Sequence, residues 1–154
     1  MQLTAYTDYA LRVLIFLAVH EDRLVTIAEM AGAYNISKNH LMKIVHQLGQ
    51  EGFIATVRGR GGGLKLGALP EHMKLGDIVR KTESHFNVVE CFHQPTNQCP
   101  ISPACGLAGI LAEARDTFLA VLDGYSLADI VQERSALTQL LEAGKVHASS
   151  EASL

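Results

Sequence analysis

Residues 37–67, "SKNHLMKIVHQLGQEGFIATVRGRGGGLKLG", most constrain what this chain can fold into, because the hydrophobic period changes partway through. In the first half, Leu41, Ile44, Val45 and Leu48 stand at i, i+3, i+4 and i+7, one apolar stripe on a helix. The opposite face carries Lys38, Asn39, Lys43, His46 and Gln47. Ser37 is suited to the N-cap, and Gly49 or Gly52 to the end. In the second half, Phe53–Val57 is rich in strand formers and Leu64-Lys65-Leu66 alternates. Between them lies "RGRGGG", a glycine-rich turn with two arginines, so the spacing predicts a hairpin with a long basic tip.

Upstream, "TDYALRVLIFLAVHED" reads as a helix apolar almost all round, hence buried. "TIAEMAGAY" reads as a short helix whose Thr26 and Glu29 fit a capping box. The turn "NI" joins it to the amphipathic helix. Helix, short helix, turn, amphipathic helix, hairpin is the order of a winged helix-turn-helix. The predicted fold class is therefore mainly α: a winged helix-turn-helix DNA-binding domain with a β-hairpin wing, plus a long dimerisation helix. A helix fits the major groove of B-DNA, with its polar face toward base edges and its apolar face on the other helices. The candidate DNA-binding residues are Ser37, Lys38, Asn39, His40 and Lys43 on the third helix and Arg58 and Arg60 on the wing. Asparagine pairs with adenine edges, lysine with guanine or phosphate, and a flexible arginine loop suits phosphates or a narrow minor groove. "RGRGGG" is not a nucleotide-binding P-loop, because the Lys-Ser/Thr at the required offset is absent.

Downstream, "LGDIVRKTE" reads as a short helix and residues 88–105 as a proline-broken loop. All three cysteines of the chain lie there, Cys91, Cys99 and Cys105, spaced C-x7-C-x5-C. The count is odd for disulfides, and the paired C-x2-C knuckles of structural zinc are absent. Soft thiolates on a proline-rich loop suit a bulky iron–sulfur cluster. Then "GLAGILAEARDTFLAVLDG" reads as a long helix, with Leu107, Ile110, Leu111, Ala114, Phe118 and Val121 on one side. That stripe exceeds what a small winged domain covers, so these residues are the candidate dimer contacts. "SLADIVQE" reads as a closing short helix and "KVHASSEASL" as disordered. The expected organisation is a DNA-binding domain at 1–82, a cysteine cluster-binding loop at 83–105, a dimerisation helix with the closing short helix at 106–135, and a partly disordered tail at 136–154.

The charges divide along the same lines. Residues 1–82 carry ten Lys/Arg against seven Asp/Glu, and residues 83–154 three against nine. A basic half followed by an acidic one predicts that only the first meets a polyanion. No apolar run reaches the ~18 residues of a membrane span, and the N-terminus has no signal-peptide pattern, so the expected compartment is the cytoplasm, without a membrane partner. No nucleophile–base constellation is present, so an enzyme is not expected.

The opening "MQLTAYTDYALRVLI", the block at 36–67, the loop "CPISPACGL" and "YSLADIV" together resemble the iron–sulfur winged-helix transcriptional regulators of the NsrR and IscR type, over roughly residues 1–133. The resemblance implies a homodimer bound to double-stranded operator DNA of dyad symmetry, with three cysteines on an iron–sulfur cluster, most simply 4Fe–4S, with 2Fe–2S the alternative. It further implies repression relieved by nitric oxide acting on the cluster; the alternative is an IscR-like sensor of cluster or redox status. IscR-like members place a histidine three residues after the last cysteine, where this chain has Ala108. NsrR-like members can use an aspartate near the start of the first helix, supplied by the partner subunit, and Asp8 matches that position. Asp8 is equally placed to favour the helix dipole and pair with Arg12, and His93 is a rival donor.

Overall fold

A computed structural model of the chain describes the backbone of residues 2–151 and the side chains of residues 2–144. Helix α1 (Ala5–Val19) is the centre of the core, with Ala10, Val13, Leu14, Phe16, Leu17 and Ala18 buried. Thr4 caps it, its hydroxyl accepting from the Thr7 amide at 3.2 Å. Helix α2 (Ile27–Tyr34) starts in the expected capping box: the Glu29 amide donates to Thr26 Oγ1, and the Thr26 amide donates to Glu29 Oε2 at 2.8 Å. It stops at Asn35, whose φ of 52° turns the chain sharply, in a left-handed conformation asparagine tolerates.

Helix α3 (Lys38–Gln50) follows at once, and its stripe of Leu41, Ile44, Val45 and Leu48 is buried against α1 and α2. The hairpin pairs β1 (Ile54–Val57) with β2 (Gly63–Leu66), in a register from Ile54 opposite Leu66 to Val57 opposite Gly63. Val25 adds a one-residue bridge, exchanging backbone hydrogen bonds with Leu64 at 3.0 and 2.8 Å. A side chain at position 63 would collide with the Val25 backbone, so Gly63 permits this third contact.

Helix α4 (Leu75–Thr82) leads to the cysteine segment, which holds three isolated 3₁₀ turns at Glu90–Phe92, Gln94–Thr96 and Ser102–Ala104. Helix α5 (Gly106–Asp123) is about 27 Å long at 1.5 Å per residue. The expected closing helix is a single 3₁₀ turn at Ala128–Ile130, where Ser126 donates from its amide and hydroxyl to Asp129 Oδ2, both at 2.7 Å.

The expected tail at 136–154 is corrected by a helix α6 (Arg134–Glu151). Leu141 is buried and Leu137 packs on the core one turn away, while Arg134 pairs with Glu21 at 2.6 Å. Gly144 lies where a Cβ would press on the Ala33 carbonyl, so α6 approaches α2 closely. These contacts are to distant parts of the chain, which local composition does not encode. Residues 152–154 of the expected tail lie outside the described residues.

Candidate functional site

The polar face of α3 is built by its start. Ser37 Oγ accepts from the His40 amide at 3.2 Å, which fixes the helix phase. Burial of the Leu41 stripe then turns Lys38, Asn39, His40 and Lys43 outward, and all four are exposed. Gln47, on the same polar face by sequence, points elsewhere. Its Oε1 accepts from Tyr6 Oη at 2.7 Å and its Nε2 donates to the Lys81 carbonyl at 3.1 Å. It ties α1, α3 and α4 together, which leaves Lys38, Asn39, His40 and Lys43 as the outward candidates on the first turns of α3.

The wing tip spans residues 58–62, and Gly59 and Gly61 adopt φ of 106° and 77°. Gly62 brings the strands together at the base of the tip, where any Cβ would strike the Val57 carbonyl. Arg58 and Arg60 are exposed on this turn. The structure therefore presents outward cations and polar groups on α3 and on the wing.

The three cysteines are free and half-buried, Cys91 in the first 3₁₀ turn, Cys99 in the following loop, and Cys105 at the N-cap of α5. Among the described residues no thiol makes a hydrogen bond or disulfide, and no three His, Cys, Asp or Glu side chains stand close enough to share a single metal ion. The loop is held from within: the Gln98 amide donates to Glu90 Oε1 at 2.8 Å, the Cys99 amide to Asn97 Oδ1 at 3.1 Å, and Asn97 Nδ2 to Ser102 Oγ at 3.0 Å. His93 is exposed, its Nδ1 2.8 Å from Thr96 Oγ1.

Asp8 lies in the first turn of α1 and is bound twice by Arg12, at 2.7 and 3.2 Å. The Arg12 guanidinium in turn lies 5.7 Å from the Tyr9 ring centroid and 5.9 Å from that of Tyr34. Tyr34 donates to the Arg12 carbonyl at 3.0 Å, and burial pushes its phenol up to about 12, so it remains a donor at neutral pH. These residues line an open cavity of about 540 Å³ that takes in no residue of the cysteine loop. Within one chain, Asp8 and the cysteines are not assembled.

Helix α5 joins the loop to the winged domain. Its C-terminal end is clamped on α4, where Arg80 forms a two-pronged bridge to Asp123 at 2.5 and 2.7 Å. That bonding to Arg80 holds the Asp123 carboxyl below the usual carboxylate range. Two backbone bonds reinforce the join, from the Leu75 amide to the Tyr125 carbonyl at 3.0 Å and from the Leu127 amide to the Met73 carbonyl at 2.8 Å. Leu119 is buried, whereas Leu107, Ile110 and Val121 are 59%, 65% and 55% exposed. Ala114 is also exposed, and Leu111 and Phe118 are half-buried.

A family model described as Rrf2, iron-dependent transcriptional regulator, matches residues 3–133. The chain is 53% identical over 143 residues to the HTH-type transcriptional regulator NsrR of Bacillus subtilis, covering 92% of this chain and 98% of that one. Among solved structures it is similar to CymR, the global cysteine regulator of B. subtilis, with a TM-score of 0.67 and 26% identity over 86% of this chain and 98% of that chain. It shares its fold with T. potens IscR, with a TM-score of 0.70 and 22% identity over 86% and 88% of the two chains. A winged helix, a long helix after it and a match along nearly the whole chain agree: this chain belongs to the Rrf2 family of transcriptional regulators.

Proposed function

We propose that the protein is a homodimeric, DNA-binding transcriptional repressor that senses nitric oxide through an iron–sulfur cluster, most simply 4Fe–4S. One observation carries the reading: α5 starts at a cysteine of a three-thiol loop, bears an uncovered apolar stripe, and ends clamped to the winged domain. A single element thus joins the candidate sensor, the candidate dimer contact and the DNA-reading fold. The likeness to the transcriptional regulator NsrR supports the regulator reading, and the choice of effector rests on the resemblance described above. Ala108, in place of a histidine, weighs against the IscR-like alternative.

The donor set fits such a cluster. Three soft thiols share a short loop and have no competing partner among the described residues. Cys91, Cys99 and Cys105 would hold it, with Asp8 of the partner subunit as the fourth donor. When bound, the cluster would supply iron able to react with nitric oxide. Without the cluster, Cys91, Cys99 and Cys105 would no longer tie the loop together at the head of α5. Because α5 is fixed to α4 at its other end, a shift in how two α5 helices pack alters the spacing of the two α3 helices. Operators of dyad symmetry demand one spacing, so specific affinity falls.

Protein purified without oxygen should show iron–sulfur absorbance and retard operator DNA, and nitric oxide should remove both together. Nitric oxide that changes the spectrum and leaves the gel shift intact would overturn the sensing mechanism. Absence of any retardation at physiological salt would remove the DNA-binding reading.

Asn39→Ala should cost about 1–3 kcal/mol at the specific site and relax its sequence preference. Arg60→Ala should lower the salt dependence of binding by about one unit of slope if Arg60 meets a phosphate. Unchanged operator affinity in the double variant takes both residues out of the interface.

Asp8→Ala should keep a cluster, on three thiolates, but alter its spectrum and its rate of reaction with nitric oxide. The fold tolerates the change, since the Asp8–Arg12 pair is nearly half exposed and worth only about 0.3–0.5 kcal/mol. Spectra and kinetics identical to the parent protein would leave His93 or solvent as the fourth donor.

A further inference from the structure

Every hydrogen bond made by residues 88–104 among the described residues stays inside the segment or reaches its immediate neighbours. One charged contact leaves it. The Arg115 guanidinium, on α5, lies 5.1 Å from the centroid of the Phe92 ring. Phe92 directly follows Cys91 in the first 3₁₀ turn of the loop. Asp116 also holds the guanidinium, which donates from Arg115 Nε to Asp116 Oδ1 at 2.8 Å. Arg115 is 29% exposed, although a lone cation on a helix surface is free to extend into water.

We propose that Arg115 is a positioning residue that docks the cysteine loop on α5 through Phe92, and so keeps Cys91 on the same helix that carries Cys105. The loop has no other polar tie to the body among the described residues, so removing this one frees its first half. Cys105 is unaffected, because it is anchored by the chain at the start of α5. The functional weight of this docking rests on the cluster-binding reading above, but the docking itself is a property of the metal-free chain. It is a different contact from the apolar stripe of α5, and either can fail alone.

The test is site-resolved alkylation of the metal-free protein with iodoacetamide, followed by peptide mass spectrometry. The measured quantity is the rate at Cys91 divided by the rate at Cys105 in the same sample. Arg115→Met removes the cation at similar length, and Phe92→Leu removes the ring at similar polarity. Each should raise that ratio about two- to fivefold, the range expected from losing one partly exposed cation–π contact. Arg115→Lys keeps a cation over the ring and should stay near the parent ratio, which a role in packing alone does not predict. The double variant should be no worse than the larger single effect, since both remove one contact. A parent-like ratio in both single variants, or effects that multiply in the double variant, overturns the proposal. Should Arg115→Met fail to fold, Phe92→Leu alone decides. Parent protein that takes up no iron and sulfide would defeat the cluster reading instead, and leaves the alkylation result standing.

Discussion

Replacing Cys99 or Cys105 with alanine should abolish iron–sulfur absorbance after anaerobic purification, with iron and sulfide falling to background. The effect is expected to be complete because this chain has no spare thiol: its three cysteines all lie in the one loop. His93 is a poor substitute for a soft thiolate and is already engaged with Thr96. The same change should leave the metal-free fold nearly intact. Both side chains are only half-buried and neither sulfur has a hydrogen-bond partner among the described residues. Cys105 makes no side-chain cap at the start of α5, so alanine there removes no capping bond. Far-ultraviolet dichroism and melting temperature of the metal-free variants should match the parent within a few degrees. Normal iron and sulfide in both variants would sink the ligand assignment, and loss of dichroism would show that the cysteines serve the fold.

What the sequence discloses depends on whether the determinant is local. The Thr26–Glu29 box, the Ser37 cap and the Leu41–Leu48 stripe act within one or two turns, and each forms as expected. The hairpin is legible because strand formers flank a glycine run, and its register follows from that turn. The bridge from Val25 is not legible, since one β-branched residue before a helix gives no alternation to detect. Helix α6 escapes a reading of the sequence for the opposite reason: its stretch has a weak apolar pattern, and Leu137, Leu141, the close approach at Gly144 and the Arg134–Glu21 pair, all to distant parts of the chain, join it to the body. Tertiary contact overrides a weak local signal there.

The candidate site divides in the same way. The outward face of α3 is a consequence of the buried stripe, so Lys38, Asn39, His40 and Lys43 are legible from the hydrophobic period alone. Gln47 cannot be distinguished from them by that period, because its partners Tyr6 and Lys81 lie in other helices. Arg115 gives no sequence signal either, as a single arginine on a helix reads as a solvated charge. Phe92, the one Phe, Tyr or Trp in the proline-rich segment 88–105, is the clue that could have drawn attention to it.

Ile110→Asp combined with Val121→Asp should convert the protein from dimer to monomer by sedimentation, and abolish cooperative binding to a two-half-site operator. The choice of positions follows from their exposure in the single chain, 65% and 55%. A carboxylate there meets water in the monomer and costs the fold little. In a symmetric pair of α5 helices each substitution appears twice, so four carboxylates enter the contact. Burying an uncompensated charge costs about 3–5 kcal/mol. Even at about 2 kcal/mol each the total is about 8 kcal/mol, roughly a 10⁵–10⁶-fold loss of dimer affinity. Thermal melts of the variant should report a folded monomer, because the Arg80–Asp123 bridge, which ties α5 to α4, and the buried Leu119 are untouched. A dimer that persists at micromolar concentration places the interface on another surface. A variant that unfolds instead would show that Ile110 and Val121 serve the monomer's own stability, and Leu107→Asp, at a third exposed position on the same helix, then repeats the test at the end next to Cys105.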